Sequence, residues 1–171
     1  EKHRKNAICN FCDTDFVGTD GINGGKYSEE SFVKKIKELW NSDKEGFIVF
    51  TGGEPMLQLD KKLIDVCKKE GFLTAIETNG TIGISFDIDW VCVSPKAGSD
   101  LLVKNGNELK VVYPQPAFDL KYFEELGFDH FFLQPMDSQD IHKNTKNTIQ
   151  YCLDNPKWKV SIQQHKILGI D

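Results

Sequence analysis

Apolar residues recur along this chain in two rhythms. Short, nearly unbroken apolar runs appear at GFIVF (46–50), FLTAIETNG (72–80), WVCVSPKAG (90–98), LKVVYP (109–114) and HFFLQPMD (130–137), with WKVSIQQH (158–165) as the last. These read as strands. Between them lie segments whose apolar positions return every three or four residues, the spacing of a helix buried along one face. In EESFVKKIKELWN, Phe32, Ile36, Leu39 and Trp40 form such a stripe, and Ser28 stands where an N-cap belongs. DKKLIDVCKKEG ends on Gly71, FDLKYFEELG closes on Gly127, and DSQDIHKNTKNTIQYCLDNP fills the interval before the last strand.

Strands alternating with helices predict parallel βαβ units, hence an α/β fold. Strands apolar nearly throughout predict a sheet covered on both faces. No linker or low-complexity stretch divides residues 1–171, so one domain is expected. Polar clusters fall at corresponding places: Thr51-Gly52-Gly53-Glu54, Glu77-Thr78-Asn79-Gly80, Ser94-Pro95-Lys96 and Gln134-Pro135-Met136-Asp137 each follow an apolar run. In parallel sheets the C-terminal ends of strands carry the site. Four such clusters exceed what turns require and read as one site.

Composition narrows the class. Apolar content of 39% and charged content of 27% describe an ordinary globular chain. No apolar run approaches the roughly eighteen residues that would span a membrane. The net charge of −5, with lysines and glutamates interleaved, argues against a nucleic-acid surface but leaves room for a small anion in a local basic pocket. The five cysteines are an odd count. Cys67, Cys92 and Cys152 lie inside predicted elements and read as small buried hydrophobes, which fits a reducing cytoplasm. KNTKN and KKIKEL read as solvated helix faces, and His3, His130 and His142 as ordinary surface or helix residues.

Cys9 and Cys12 stand apart. In AICNFCDTDFVGTDG they lie three positions apart and are followed at once by acidic and hydroxyl groups. A zinc half-site would need a second ligand pair, which nothing nearby supplies. A thioredoxin-like redox pair would open a helix after a strand, whereas these flanks are loop-like. A cubane iron–sulfur cluster held by three cysteines, with one iron open to a small molecule, needs one further cysteine upstream. TGGEP (51–55) suits a ligand's amino group, because glycines admit close backbone approach and a carboxylate receives an ammonium.

Cys9 and Cys12 with Phe11 between them, followed by TGGEP, resemble the radical S-adenosylmethionine (SAM) superfamily. The blocks CNFCDTDFVGTDG, TGGEP, ETNG, VSPKAG, LKVVYP, LQPMD and QQHKILGI, in this order, resemble the 7-carboxy-7-deazaguanine synthase family over nearly the whole chain. The resemblance implies a partial (β/α) barrel with fewer than eight parallel strands. It also implies a C-x14-C-x2-C cluster motif whose first cysteine falls about seven positions before Glu1. The chain is therefore expected to lack its N-terminal segment, including a strand with substrate contacts.

By the same resemblance, 6-carboxy-5,6,7,8-tetrahydropterin would be converted to 7-carboxy-7-deazaguanine with loss of ammonia, in queuosine and 7-deazapurine biosynthesis. A [4Fe-4S] cluster, SAM and Mg²⁺ would be the cofactors, and a 5′-deoxyadenosyl radical would abstract the pterin hydrogen. Cys9 and Cys12 would ligate the cluster and Thr14 would bind Mg²⁺. Phe11, Cys12, Asp13, Gly53, Glu54, Ser94, Pro95, Lys96, Gln134, Pro135, Met136 and Asp137 would bind SAM. Thr51, Glu77, Asn79, His165 and Asp171 would face the substrate. An electron donor such as flavodoxin, a homodimer and a cytoplasmic location are further implications, with neither nucleic acid nor membrane as partner. A glycyl-radical-activating enzyme, or a non-catalytic zinc or redox CxxC module, are the competing readings.

Overall fold

A computed structural model describes residues 21, 23–116 and 118–169. In chain order the elements are α1 (Glu29–Trp40), β1 (Gly46–Phe50), a 3₁₀ turn (Pro55–Leu57), α2 (Lys61–Lys69), β2 (Phe72–Thr78), β3 (Trp90–Val93), β4 (Asn105–Tyr113), α3 (Leu120–Glu124), β5 (Gly127–Pro135), α4 (Ile141–Asp154), β6 (Trp158–Val160) and α5 (Gln164–Leu168). The first two helices are capped by short polar side chains and a glycine. Ser28 Oγ accepts from the Ser31 amide, Asp60 Oδ1 accepts from the Leu63 amide, and Gly71 takes the left-handed conformation (φ +85°) just past α2.

All six described strands are parallel, and their order in the sheet is their order in the chain, β1 to β6. Each crossover therefore steps one strand over in the same direction. With right-handed connections this puts every crossover on one side of the sheet. The order never reverses, as it would in a doubly wound fold, and β1 and β6 remain unpaired with each other, so the sheet is an arc of a (β/α) barrel.

The register shows which face is packed. Phe50 pairs with Ile76, Ile76 with Val91, Val93 with Leu109, Leu109 with Phe131, and Phe131 with Trp158. These residues meet Ile64 of α2, Leu120 and Phe123 of α3, Tyr151 of α4, and Ile88 and Val103 from the two crossovers that contain no helix. Leu109 and Leu133 are completely buried here. Truncating either to alanine is worth about 2–5 kcal/mol. The indole N–H of buried Trp158 donates to Glu124 Oε1 at 2.9 Å, fastening β6 to α3.

The opposite face departs from the expectation of a sheet covered on both sides. Phe47, Val49 and Leu73 are 51%, 47% and 38% exposed, and Glu77, Glu108, Lys110 and Gln134 lie on the same side. The strands carry a hidden alternation, with apolar residues towards the helices and mixed residues within the arc.

Three boundaries also differ. Gly127 does not cap α3, which stops at Glu124; its amide donates to Lys104 O at 3.0 Å and begins β5. β4 begins at Asn105 within the polar NGNE run, because Asn107 Oδ1 accepts from the Val91 amide at 2.8 Å and stitches it to β3. β6 ends at Val160, since its partner β5 runs into Pro135, which has no amide to donate, and Gln164–Leu168 coils into α5.

Asp89 joins three elements. Its Oδ2 accepts from the amide and hydroxyl of completely buried Thr74, both at 2.8 Å, and its Oδ1 lies 3.1 Å from Lys68 of α2. Burial raises its pKa, but the two Thr74 bonds and Lys68 outweigh that and hold it below the usual aspartate range. A depressed folded-state pKa contributes stability at neutral pH and loses it as pH falls through that value. Asp89→Asn is therefore expected to be less stable than wild type by a constant margin at neutral pH. That margin narrows below about pH 4, as checked by urea unfolding across pH.

Candidate functional site

The C-terminal ends of β1 to β5 and the segment after β6 enclose a cleft of about 680 Å³. Thr51, Gly52 and Gly53 close one side after β1, Ser94 and Lys96 follow β3, and Ser161 to Lys166 form the opposite wall. The floor is the open face of the sheet, with Val49, Glu77, Lys110, Val112 and Gln134. Of the residues picked from sequence, the structure brings Thr51, Gly53, Glu77, Asn79, Ser94, Lys96, Gln134, Asp137 and His165 into this single lining.

Glu54 is placed elsewhere. Its Oε1 accepts from the Thr78 hydroxyl at 2.7 Å and the Met56 amide at 3.0 Å, and its Oε2 accepts from the Asn79 amide at 2.8 Å. It caps the 3₁₀ turn and ties the end of β1 to the end of β2, instead of lining the cleft. Pro95 and Pro135 are buried and Met136 half-buried, and none of the three lines the cleft. Their loops are braced by residues that sequence reasoning passed over. Gln115 accepts from the Ala97 amide at 3.2 Å and donates to Val112 O at 2.8 Å, holding the loop after β3. Asn144 of α4 donates to Met136 O at 2.9 Å and to Ser138 Oγ at 3.2 Å, holding the loop after β5. Asn144 is buried, which corrects the reading of KNTKN as a wholly solvated face.

Gly80 closes the β2 loop. Its φ of +76° suits glycine, its carbonyl accepts from the Leu102 and Val103 amides, and a Cβ there would stand 2.6 Å from Leu101 Cδ1.

The lining carries both signs of charge. Lys96 Nζ donates to Ser94 Oγ at 2.9 Å, and Lys166 pairs with Asp137, binding α5 to the end of β5. Lys110 Nζ donates to Glu77 Oε1 at 2.9 Å across the floor. Burial draws the Lys110 pKa down, but Cys92, Glu77 and Glu108 outweigh it and raise it above the ordinary lysine value. Lys110 was missed because it interrupts the apolar LKVVYP run. The signal was its period-two spacing from Glu108 and Val112, out of phase with Leu109 and Val111. Burial pushes the thiols of Cys67, Cys92 and Cys152 up, as expected for inert buried cysteines.

Cys9, Phe11, Cys12, Asp13, Thr14 and Asp171 lie outside the described residues. Among the described residues no group of three His, Cys, Asp or Glu side chains could hold a metal ion, and no helix is long and apolar enough to cross a membrane. The lining nevertheless fits SAM in its polar groups: accessible backbone beside two glycines, hydroxyls, the amide side chains of Asn79, Gln134, Gln163 and Gln164, and cations for a carboxylate. Its volume is that of a small-molecule site.

Comparison with known proteins supplies the family. A radical SAM superfamily model matches residues 6–155. The chain is 49% identical to the 7-carboxy-7-deazaguanine synthase of Bradyrhizobium diazoefficiens, over 99% of this chain and 82% of that protein. It is 50% identical to that of Burkholderia multivorans over the same shares. A crystal structure of QueE from Escherichia coli superposes with a TM-score of 0.63 at 27% identity, covering 80% of this chain and 64% of that one.

Because Glu54 satisfies a buried hydroxyl and two amides, Glu54→Ala is expected to lower stability by about 2 kcal/mol. Chemical denaturation of the full-length protein measures this, and a variant within about 0.5 kcal/mol of wild type would contradict the bracing role.

Proposed function

Since the chain belongs to the radical SAM superfamily and within it to the 7-carboxy-7-deazaguanine synthases, we propose that it converts 6-carboxy-5,6,7,8-tetrahydropterin to 7-carboxy-7-deazaguanine with loss of ammonia. This reaction lies in queuosine and 7-deazapurine biosynthesis. The observation that carries the reading is the convergence of polar loops from successive parallel strands on one cleft. A site with charged, hydroxyl and amide groups at strand ends suits two small polar ligands held side by side.

When bound, a [4Fe-4S] cluster and SAM supply one-electron chemistry that removes a hydrogen atom from the substrate. Cys9 and Cys12 would provide thiolates to the cluster, with Phe11, Cys12 and Asp13 along the SAM edge. The Gly52–Gly53 backbone would receive the SAM amino group, with Glu54 acting behind it as the brace. Ser94 and Lys96 would meet the ribose or carboxylate, with Pro95 fixing their loop. Gln134 and Asp137 would stand at the adenosyl side on a loop shaped by Pro135 and Met136. Thr51, Glu77, Asn79, His165 and Asp171 would orient the pterin. Thr14 would give a hydroxyl to Mg²⁺, a hard cation that keeps several waters and meets the substrate carboxylate. The walls would shield the reacting carbon from water. A flavodoxin-like electron donor, a homodimer and a cytoplasmic setting complete the reading.

Full-length protein reconstituted anaerobically with iron and sulfide, then given SAM, reductant, Mg²⁺ and the carboxy-tetrahydropterin, is expected to yield 5′-deoxyadenosine and the deazaguanine. Absence of both products overturns the proposal, and bound zinc without a brown chromophore favours the CxxC module instead. Thr14→Ala is expected to weaken the Mg²⁺ dependence while SAM binding persists. Equal loss of both would assign Thr14 to the shape of the cluster loop.

A further inference from the structure

The cleft floor holds an ion pair that spans an intervening strand. Glu77 lies on β2 and Lys110 on β4, with β3 between them. In the register Glu77 pairs with Cys92 and Cys92 pairs with Glu108, two positions before Lys110 on the same face. The lysine stem must therefore cross over β3 to bring Nζ within 2.9 Å of Glu77 Oε1. Beneath it lie Cys92 of β3 and Ser94 just past its end, both small, which leaves the stem room. Cys92 is itself turned to Glu108, 3.5 Å from Sγ to Oε1.

The two partners differ in exposure. The Lys110 side chain is 18% exposed and that of Glu77 is 43% exposed. The lysine is the buried anchor and the carboxylate the accessible end. Among the described residues Glu77 Oε2 takes no hydrogen bond. A pair on the surface would contribute little. Here one oxygen is held by a cation while the residue lines the cleft, an arrangement that leaves the second oxygen for a ligand.

We propose that Lys110 is a positioning residue: it holds the Glu77 carboxylate at the cleft floor so that Oε2 accepts from a pair of ligand donors. The inference rests on the proposed function, whose two ligands both carry such donors, as ribose hydroxyls in SAM and as ring N–H and amino groups in the pterin.

Full-length, cluster-loaded protein is compared with Lys110→Met, Lys110→Arg, Glu77→Gln and the Lys110→Met/Glu77→Gln double variant. The measurements are the SAM dissociation constant by anaerobic equilibrium dialysis, the KM for the pterin, and the thermal midpoint. Lys110→Met is expected to weaken one ligand about tenfold, the loss of one oriented charged hydrogen bond. Its thermal midpoint should stay close to wild type. The double variant should be no weaker than Glu77→Gln alone, and Lys110→Arg should restore most of the affinity. A shift in SAM affinity assigns the donors to the ribose; a shift confined to the pterin KM assigns them to the substrate.

Unchanged constants in Lys110→Met, or additive losses in the double variant, overturn the inference. Should Lys110→Met fail to fold, Lys110→Gln takes its place in the same cycle. Wild-type protein that binds SAM but forms no deazaguanine defeats the reaction assigned above, while the SAM arm still decides the role of Lys110. Wild-type protein that binds neither ligand defeats both.

Discussion

A single handedness rule organises this molecule. Parallel strands joined by right-handed crossovers, each stepping one place in the same direction, force every connection to one side of the sheet. The helices and the two helix-free crossovers have nowhere else to pack, so one face becomes the core and the other is released from it. The released face can then hold Glu77, Glu108, Lys110 and Gln134, which would be costly under a second helical layer. The candidate site occupies the side that topology leaves unpacked.

Holding loops still at the strand ends requires the polar chemistry that the packed side lacks. Glu54, Gln115 and Asn144 each saturate backbone groups of a neighbouring loop, and each comes from a different place in the chain. Asn144 reaches up from a helix, Gln115 back from the segment after β4, and Glu54 sideways from the next strand end. Such bonds are worth more for fixing geometry than for their net free energy, which is about 1 kcal/mol apiece. The loops that border the cleft are thus those carrying TGGEP, ETNG, SPK and QPMD.

Strands and principal helices were readable because their apolar runs and periodicities are strong, and GFIVF coincides with β1 residue for residue. The strand-end clusters were readable for the complementary reason, since four sets of unusual polar residues at one edge exceed the needs of turns. What could not be read depends on adjacency in space. Glu54 meets Thr78 and Asn79 across separations of 24 and 25 residues, contacts that the TGGEP motif does not announce. Lys110 interrupts an apolar run in the sequence, and its partner Glu77 stands two strands away on β2. Asn144 sat in a run whose other members are polar surface residues, and only the direction of one helix face distinguishes it. The Cys9–Cys12 segment is the reverse case, with clear chemistry in the sequence but a position outside the described residues.

The wall formed after β6 is built unlike the others. Its helix α5 has five residues, buries none of them, and leaves Ile167 and Leu168 about two-thirds exposed or more. The Lys166–Asp137 contact that joins it to β5 is a solvent-accessible ion pair, of a kind worth at most about 1 kcal/mol and weakened by salt. The other described sides of the cleft follow directly from strands β1 to β5. The share of this wall's hold that comes from that ion pair therefore falls as ionic strength rises, whereas the strand-borne sides draw theirs from backbone ladders that salt leaves untouched.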